Sequence, residues 1–202
     1  MFKIALSLLA VVSLSACGGS AISNALGGAR IQVPAPTPPP AGLTPTEITS
    51  PAGGGFTFGI SSGGSNLGGV INAGAQGYAQ LLPTTVNQPP LTGGTVMNGT
   101  YSLDSLTLVP PGSPPDPSDV QLRNQPISLT ASFTDKTLTG TAGSLAVNTT
   151  ITNGILGGTV TYNGVSTSNM QGVISDDRAI GAFVIQSNTE GVIVAGGFDV
   201  SE

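Results

Sequence analysis

The side chains that could support chemistry in this 202-residue chain are its ten carboxylates, because it contains no histidine and only one cysteine. Without histidine, a Ser-His-Asp or Cys-His arrangement cannot form, and the commonest ligands of zinc and other transition metals are missing. Two carboxylate pairs are closely spaced, Asp116 with Asp119 and Asp176 with Asp177. Either pair could offer oxygens to calcium or act as the acid and base of a glycosidase.

Both carboxylate pairs are better interpreted as turn residues. Calcium takes roughly six to eight oxygen ligands, and neither pair lies in a recognisable calcium-binding loop. Nothing around either pair distinguishes an acid from a base, as a glycosidase requires. Aspartates beside proline and serine commonly initiate β-turns. We therefore expect no metal, no cofactor and no enzymatic activity.

The single cysteine, Cys17, ends a secretory signal. Positive charge at Lys3 precedes an apolar run over residues 4–14, and small residues precede the cysteine. The order Leu14-Ser15-Ala16-Cys17 resembles a bacterial lipobox, in which the cysteine becomes the lipidated first residue of the mature chain. The alternatives are an ordinary signal peptide with an incidental cysteine and an uncleaved anchor helix. The apolar run is much shorter than the roughly 20 residues that a spanning helix needs.

The lipid anchor expected on Cys17 makes the membrane the first predicted partner. Gly18, and not an aspartate, follows the cysteine, and the resemblance to sorted lipoproteins then implies the outer membrane. A net charge of −5 with only five basic residues argues against a nucleic-acid partner. Since there is no second thiol, the fold uses no disulfide.

Composition and the distribution of proline predict the domain organisation. Charged residues make up 7% of the chain and aromatic residues 4%, alongside 30 glycines, which favours strands and turns over helices. All 16 prolines lie at or before Pro126, and proline is excluded from central strands, so residues 127–202 are expected to form continuous sheet. The predicted segments are a signal peptide (1–16), a lipidated cysteine with a disordered, Pro-rich tether (17–55), a loop-rich segment (56–94) and a β-barrel domain (95–202).

The barrel domain is predicted from apolar residues that recur with the two-residue period of half-buried strands. Two short strands are expected between residues 95 and 109, one with Met97 and Tyr101 on its inner face and the next with Leu106 and Leu108. Tyr101, like Tyr78 and Tyr162, could contact a ligand, but aromatic residues in strands more often belong to the core.

Tight turns separate the strands expected after residue 127. Asn153-Gly154 is the strongest hairpin signal, because both central residues of a type I′ turn need positive φ, and Asn163-Gly164 repeats it. Asp135-Lys136 and Ser175-Asp176-Asp177 lie where other turns are expected. A meander of short strands removes its exposed edges most simply by closing. The predicted fold is therefore all-β, an antiparallel up-and-down barrel of about eight strands.

Several motifs follow one another through this region: Phe133-Thr134-Asp135-Lys136-Thr137-Leu138-Thr139-Gly140, Ile151-Thr152-Asn153-Gly154, Gly181-Ala182-Phe183 and Gly196-Gly197-Phe198. Their order and spacing, over roughly residues 82–202, resemble the C-terminal β-barrel of transferrin-binding protein B-like surface lipoproteins. Members often carry F-Y-G where this chain has Phe183-Val184-Ile185, and the handle domain of large members has no room here. The resemblance implies the barrel fold, with Phe133, Phe183 and Phe198 in its core. Family members bind unrelated host proteins or haem, so it implies no particular ligand.

Two functions of different classes remain open. The first is a surface binding module, anchored in the outer membrane and monomeric, whose barrel loops contact a host protein or a small nutrient. The second is a structural lipoprotein that faces the periplasm and supports an envelope assembly. Binding residues are most expected on the longest loop, over residues 110–119, with the opposite rim at Asn153-Gly154 or Asp176-Asp177 as the other candidate.

Overall fold

The computed structural model of the protein describes residues 23–24, 30–61, 65–67, 70–72, 75–109, 111, 116–167, 170–187 and 189–202. The predicted signal peptide and the lipidation site Cys17 lie outside the described residues, as do five residues of the long loop, Pro110 and residues 112–115. No helix in the described ranges is long and apolar enough to cross a membrane.

Strands dominate the described part of the chain. The first eight are β1 (Ser23–Asn24), β2 (Arg30–Val33), β3 (Thr46–Thr49), β4 (Gly55–Ser61), β5 (Ser65–Leu67), β6 (Val70–Asn72), β7 (Gln76–Leu81) and β8 (Thr84–Asn87). The next nine are β9 (Gly94–Thr107), β10 (Gln121–Ser132), β11 (Thr137–Ala142), β12 (Leu145–Thr152), β13 (Ile155–Tyr162), β14 (Val165–Thr167), β15 (Met170–Ile174), β16 (Arg178–Ser187) and β17 (Val192–Ser201). A single-turn 3₁₀ helix, Pro117–Asp119, precedes β10.

Eight of the later strands close an antiparallel barrel. Their order is β12-β11-β10-β9-β17-β16-β15-β13, and β13 pairs again with β12, which completes the ring. The short strand β14 pairs with the last residues of β13, and β15 pairs with its first residues. Lys136, Asn153 and Asn163 have φ values of 56°, 51° and 50°, so each of these predicted tight turns is formed. The expected all-β, up-and-down barrel is confirmed.

Apolar side chains fill the interior of the barrel. Phe133, Phe183 and Phe198 belong to this core with exposed fractions of 5%, 1% and 0%, so their expected burial is confirmed. Gly181 provides space for one of these rings, because a Cβ at that position would lie 2.5 Å from the ring of Phe198. Barrels of eight strands are just wide enough to be filled by side chains. A ligand of this barrel therefore has to bind from outside.

A second core lies on the outer surface of the barrel. Strands β3, β4 and β7 form a three-stranded sheet, and β4 and β7 pack on β16 and β17. Phe56 and Phe58 of β4 are 1% and 0% exposed. They belong to one buried cluster with outward-facing residues of the barrel wall, Leu106, Val173, Ile180, Ala182, Ile193 and Ala195. One part of the wall is thus buried on both faces.

The amino-terminal part of the chain differs from the expected disordered tether over residues 17–55. From Arg30 onward it is folded, and Ile31 in β2 is fully buried. The Pro-rich run that follows is held against β7, where Tyr78 Oη donates a hydrogen bond to the carbonyl of Thr37 at 2.8 Å. The amide of Thr37 donates to Gln80 Oε1 at 2.6 Å, and Gln80 Nε2 donates to the Thr37 hydroxyl. Proline makes this run extended, but the polar groups between the prolines bind it to the sheet.

The segment over residues 56–94, expected to be rich in loops with one strand, contains β4 to β8. Its glycines made it difficult to interpret from the sequence. One of them, Gly77, lies where β7 approaches the barrel most closely, because a Cβ there would be 2.7 Å from Val184 Cγ1. Glycine at such a position reflects close packing and not a loop.

Strands β9 and β10 are longer than the sequence pattern predicted. Instead of two short strands before residue 109, β9 is a single strand of 14 residues. Its buried residues change from the inner face at Tyr101 to the outer face at Leu106 because the outer core begins there. Strand β10 contains Pro126, although continuous sheet was expected only from residue 127. Because β11 pairs only with residues 130–132 of β10, no strand lies beside Pro126 on that side, and its missing N–H is tolerated.

Candidate functional site

The two ends of the barrel differ in their connections and in what covers them. The end where β9 passes to β10 through the long loop, here called the loop end, also carries the turns after β11 and β13. The opposite end, here called the turn end, carries the turns after β10, β12 and β15. At the turn end, Ile31 and Pro89 lie against Gly154, which is buried. Asn153, Asp176 and Asp177 remain exposed at this end.

The two carboxylate pairs lie at opposite ends and serve as turn residues. Asp116 Oδ1 accepts hydrogen bonds from the amide and hydroxyl of Ser118 at 2.9 and 2.7 Å, and these bonds lower the pKa of Asp116. At the turn end, Asp177 Oδ1 accepts a hydrogen bond from the hydroxyl of Ser175 at 2.6 Å. Within the described ranges, no group of three or more ligating side chains could hold a metal ion.

A polar mouth opens at the loop end, beside the first half of β10. Gln121, Arg123 and Gln125 alternate with the same period as the core residue Ile127, but they are exposed because β11 does not pair with this part of β10. Below them, Tyr101 is 2% exposed and donates its hydroxyl to Gln125 Oε1 at 2.9 Å. The mouth thus has a buried aromatic floor and a polar rim.

Burial keeps the floor of the mouth neutral. Desolvation raises the pKa of Tyr101, the neighbouring Tyr162 raises it further, and Arg123 lowers it. At neutral pH, Tyr101 therefore remains a hydroxyl donor to Gln125. Tyr78, Tyr101 and Tyr162 are all buried, which confirms that they belong to the core.

Exposed apolar side chains flank the mouth. Val109, just after β9, is 83% exposed, and Leu122 in β10 is 63% exposed. Leu122 lies opposite Asp104 of β9, whose pKa is raised by burial. Leu122 lies on the opposite face of β10 from Arg123 and Gln125, because successive side chains of a strand alternate. We use the name mouth site for Val109, Leu122, Arg123 and Gln125, which all lie at the loop end. A partner that covers this rim meets both apolar groups and a guanidinium.

At the turn end, an ion pair joins the barrel to the outer layer. Arg178 Nε and Nη2 donate to the two carboxylate oxygens of Asp199, each at 2.9 Å. Arg178 Nη1 donates to the carbonyl of Gly53, between β3 and β4, at 2.6 Å. Since Arg178 is only 8% exposed and its donors are occupied on three atoms, it holds the layers together and offers little to a ligand.

Two open clefts lie near this ion pair, with volumes of about 340 and 310 Å³. Both lie where β8 and the turn between β3 and β4 meet their neighbours, and the second is lined by Arg30, Ser175 and Asp177. They are grooves between packed layers.

Solved structures with a similar arrangement are of the vaccine antigen transferrin binding protein B. A mutant from Actinobacillus pleuropneumoniae H49 matches with a TM-score of 0.46 and 10% identity, over 78% of this chain and 81% of that chain. A mutant from Haemophilus parasuis Hp5 matches with a TM-score of 0.49 and 13% identity, over 85% of this chain and 35% of that chain. A double mutant from the same source gives 0.46 and 13%, over 91% and 41% of the two chains.

All three identities are 13% or lower, and all three TM-scores are below 0.5. This chain spans well under half the length of the two H. parasuis chains. No protein-family model and no curated protein matches the sequence.

The residues of the mouth site were not among the sequence candidates. The expected loop contact, over residues 110–119, is adjacent to them, but five of its residues lie outside the described part of the chain. One available signal was the polar residues Gln121, Arg123 and Gln125, which continue the alternation of a strand whose later members are apolar. Such a change of polarity along one face marks the point where a strand leaves a closed core.

Proposed function

We propose that this protein is an outer-membrane-anchored lipoprotein that acts as a surface binding module for a host protein or a nutrient ligand and catalyses no reaction. The mouth site supports this proposal most directly. Val109 and Leu122 expose most of their apolar surface at the end of a rigid barrel that also carries Arg123. Apolar and guanidinium groups beside a polar rim are typical of contact surfaces.

The rest of the proposal follows from the sequence and the filled barrel. The lipobox-like segment ending at Cys17 supplies the membrane anchor. Since the interior is packed, the ligand contacts the outside of a monomeric barrel, and no cofactor or nucleic acid is required. Pairing of β9 with β10 over twelve residue pairs holds Leu122, Arg123 and Gln125 in place, which limits the conformational entropy lost on binding.

The location of the binding site is tested by substituting exposed apolar residues at each end of the barrel. We expect the double variant Val109→Ser/Leu122→Ser to lose, by tenfold or more, the partner that co-purifies with the lipoprotein from membranes; tenfold corresponds to about 1.4 kcal/mol. Val96→Ser is the matched control, because Val96 is 51% exposed on β9 near the turn end. Equal retention of the partner by all variants would remove the mouth site from the proposal.

Anchoring and orientation are tested separately, on intact cells. The variant Cys17→Ser should no longer incorporate labelled acyl chains and should leave the membrane fraction. External protease should cleave the acylated parent protein if it is displayed on the surface. Protection of the parent until the outer membrane is permeabilised would favour the structural, periplasm-facing lipoprotein.

A further inference from the structure

The chain that follows the expected lipid anchor joins the barrel at the turn end. Arg30, the first residue of β2, lines the cleft beside Ser175 and Asp177. Strand β1 pairs with β2 so that Ser23 lies opposite Gln32, and Gln32 borders the neighbouring cleft beside Gly53. Ser23, only six residues after Cys17, is thus placed near the turn end.

The short spacing determines which end of the barrel can face the lipid. Six residues span at most about 20 Å when fully extended. The ten-residue strand β17 rises about 33 Å, which is an axial length of about 25 Å when tilted by roughly 40°. The extended segment is shorter than the barrel, so an anchor on Cys17 favours the orientation in which the turn end lies toward the membrane.

An apolar loop without charged residues lies at this same end. Residues 88–93 join β8 to β9 and read Gln-Pro-Pro-Leu-Thr-Gly. Pro89 is held against Gly154, and two consecutive prolines restrict the backbone φ. Leu91 is 88% exposed, the largest value among the exposed large hydrophobic side chains of the described residues. The loop thus presents one leucine from a fixed position.

We infer that this loop is a membrane contact, in which Leu91 inserts at the boundary between headgroups and acyl chains of the membrane that holds the lipidated Cys17. The inference rests on the lipid anchor of the proposed function. Transfer of an exposed leucine side chain out of water is favourable, and the desolvation penalty is small for a loop without charged residues. The anchor already confines the loop to the lipid surface, so the association is effectively intramolecular.

The charges at the turn end select the kind of lipid. Asp135, Asp176, Asp177 and Glu202 lie at this end, against Arg30 and Lys136. This excess of carboxylates disfavours an anionic surface, and a zwitterionic one is therefore the expected partner. Contact at the turn end also directs the mouth site away from the membrane.

The experiment uses the absence of tryptophan from the chain. Leu91→Trp introduces a single indole at the proposed contact, and Val109→Trp is the matched control, because Val109 is 83% exposed at the loop end. Both full-length, lipidated variants are reconstituted into phosphatidylethanolamine/phosphatidylcholine vesicles with or without brominated acyl chains. We expect blue-shifted emission and quenching by the brominated lipid for Leu91→Trp, and neither for Val109→Trp.

Flotation of the same vesicles separates failure of this inference from failure of the anchor. If both variants float with the vesicles but neither is quenched, the loop contact is wrong and the anchor stands. Quenching of Val109→Trp alone reverses the orientation and also overturns the inference. If acylated protein does not float with the vesicles, the anchor fails and the loop contact fails with it.

Discussion

Two Asn-Gly turns show how the same backbone requirement can serve different packing. Gly154 and Gly164 have φ values of 76° and 86°, and each follows an asparagine that is also at positive φ. A Cβ at Gly164 would meet no atom within 4 Å, whereas one at Gly154 would meet Ile31 and Pro89. The turn at Gly164 only connects two strands. The turn at Gly154 also packs against the amino-terminal segment.

Alanine substitutions at these two glycines measure that difference. Gly164→Ala should lower the free energy of unfolding by about 1 kcal/mol, the cost of a left-handed backbone for a residue with a Cβ. Gly154→Ala should lose about 1 to 3 kcal/mol more, because the buried Ile31 side chain has to move. Urea denaturation followed by far-UV circular dichroism gives both values. Equal losses would mean that the amino-terminal segment does not pack on this turn.

The turn residues could be predicted from the sequence, because their backbone requirement is local. Asn153, Asn163 and Lys136 occupy positive φ for this reason. The exposure of Arg123 could not be predicted in the same way, because it depends on β11 pairing only with residues 130–132 of β10. The ion pair of Arg178 with Asp199 joins residues on neighbouring strands, and its contact with Gly53 depends on the packing of a separate sheet.

At the level of elements, β16 and β17 are buried on both faces over most of their length. Residues 179–185 and 192–198 are almost uninterrupted apolar runs, whereas β12 alternates between apolar and polar residues. A continuous apolar run is typical of a strand covered on two sides. The sequence therefore contained a sign that something covers these strands. The identity of the cover could not be predicted, because it lies more than a hundred residues earlier in the chain.

Gly197 in β17 lies where the barrel wall meets the covering sheet and leaves no room for a side chain. A Cβ there would lie 2.3 Å from the carbonyl oxygen of Gly181 in β16 and 2.5 Å from the ring of Phe56. We expect Gly197→Ala to destabilise the fold by about 1 to 3 kcal/mol, since neither the buried ring nor the paired backbone can easily move. For a domain of this size each kcal/mol lowers Tm by about 2 to 4 °C.

Gly157→Ala in β13 is the control for this substitution. Gly157 is also a strand glycine, but a Cβ there would meet no atom within 4 Å. The control should be neutral or slightly stabilising, since alanine loses less backbone entropy than glycine on folding. If the two variants have the same Tm, Phe56 does not pack against the barrel wall at Gly197.

On the scale of the whole molecule, the two cores share one wall and the protein has no simple boundary between tether and domain. The regular alternation of apolar residues that begins at Thr95 suggested that the folded domain starts there, after a Pro-rich tether and a loop-rich segment. The buried residues Ile31, Val33 and Phe56 lie on the tether side of that boundary. Proline cannot donate a hydrogen bond inside a central strand, but short strands can still form between prolines.

A fragment that starts at Gly93 would contain the whole barrel and lack its outer layer. We expect it to expose the outward-facing residues Leu106, Ile180 and Ile193, which are 1%, 0% and 4% exposed in the complete fold. It should therefore bind a hydrophobic dye and form soluble oligomers, whereas residues 30–202 should be monomeric. Size-exclusion chromatography with light scattering decides between these states. A monomeric 93–202 fragment with a cooperative melt would show that the outer layer is dispensable.

The position of β17 also determines when the protein can fold. This strand lies between β9 and β16 in the ring, and its outer face supports the second core. Its pairing with β9 joins residues that are far apart in the sequence, such as Gly99 and Val200. Since a long loop has to close before these residues can pair, we expect folding to be slow. Neither core can be completed before β17 has been synthesised. The closed ring and the outer core are therefore both completed by the same late strand, so folding of the two layers is coupled to its arrival.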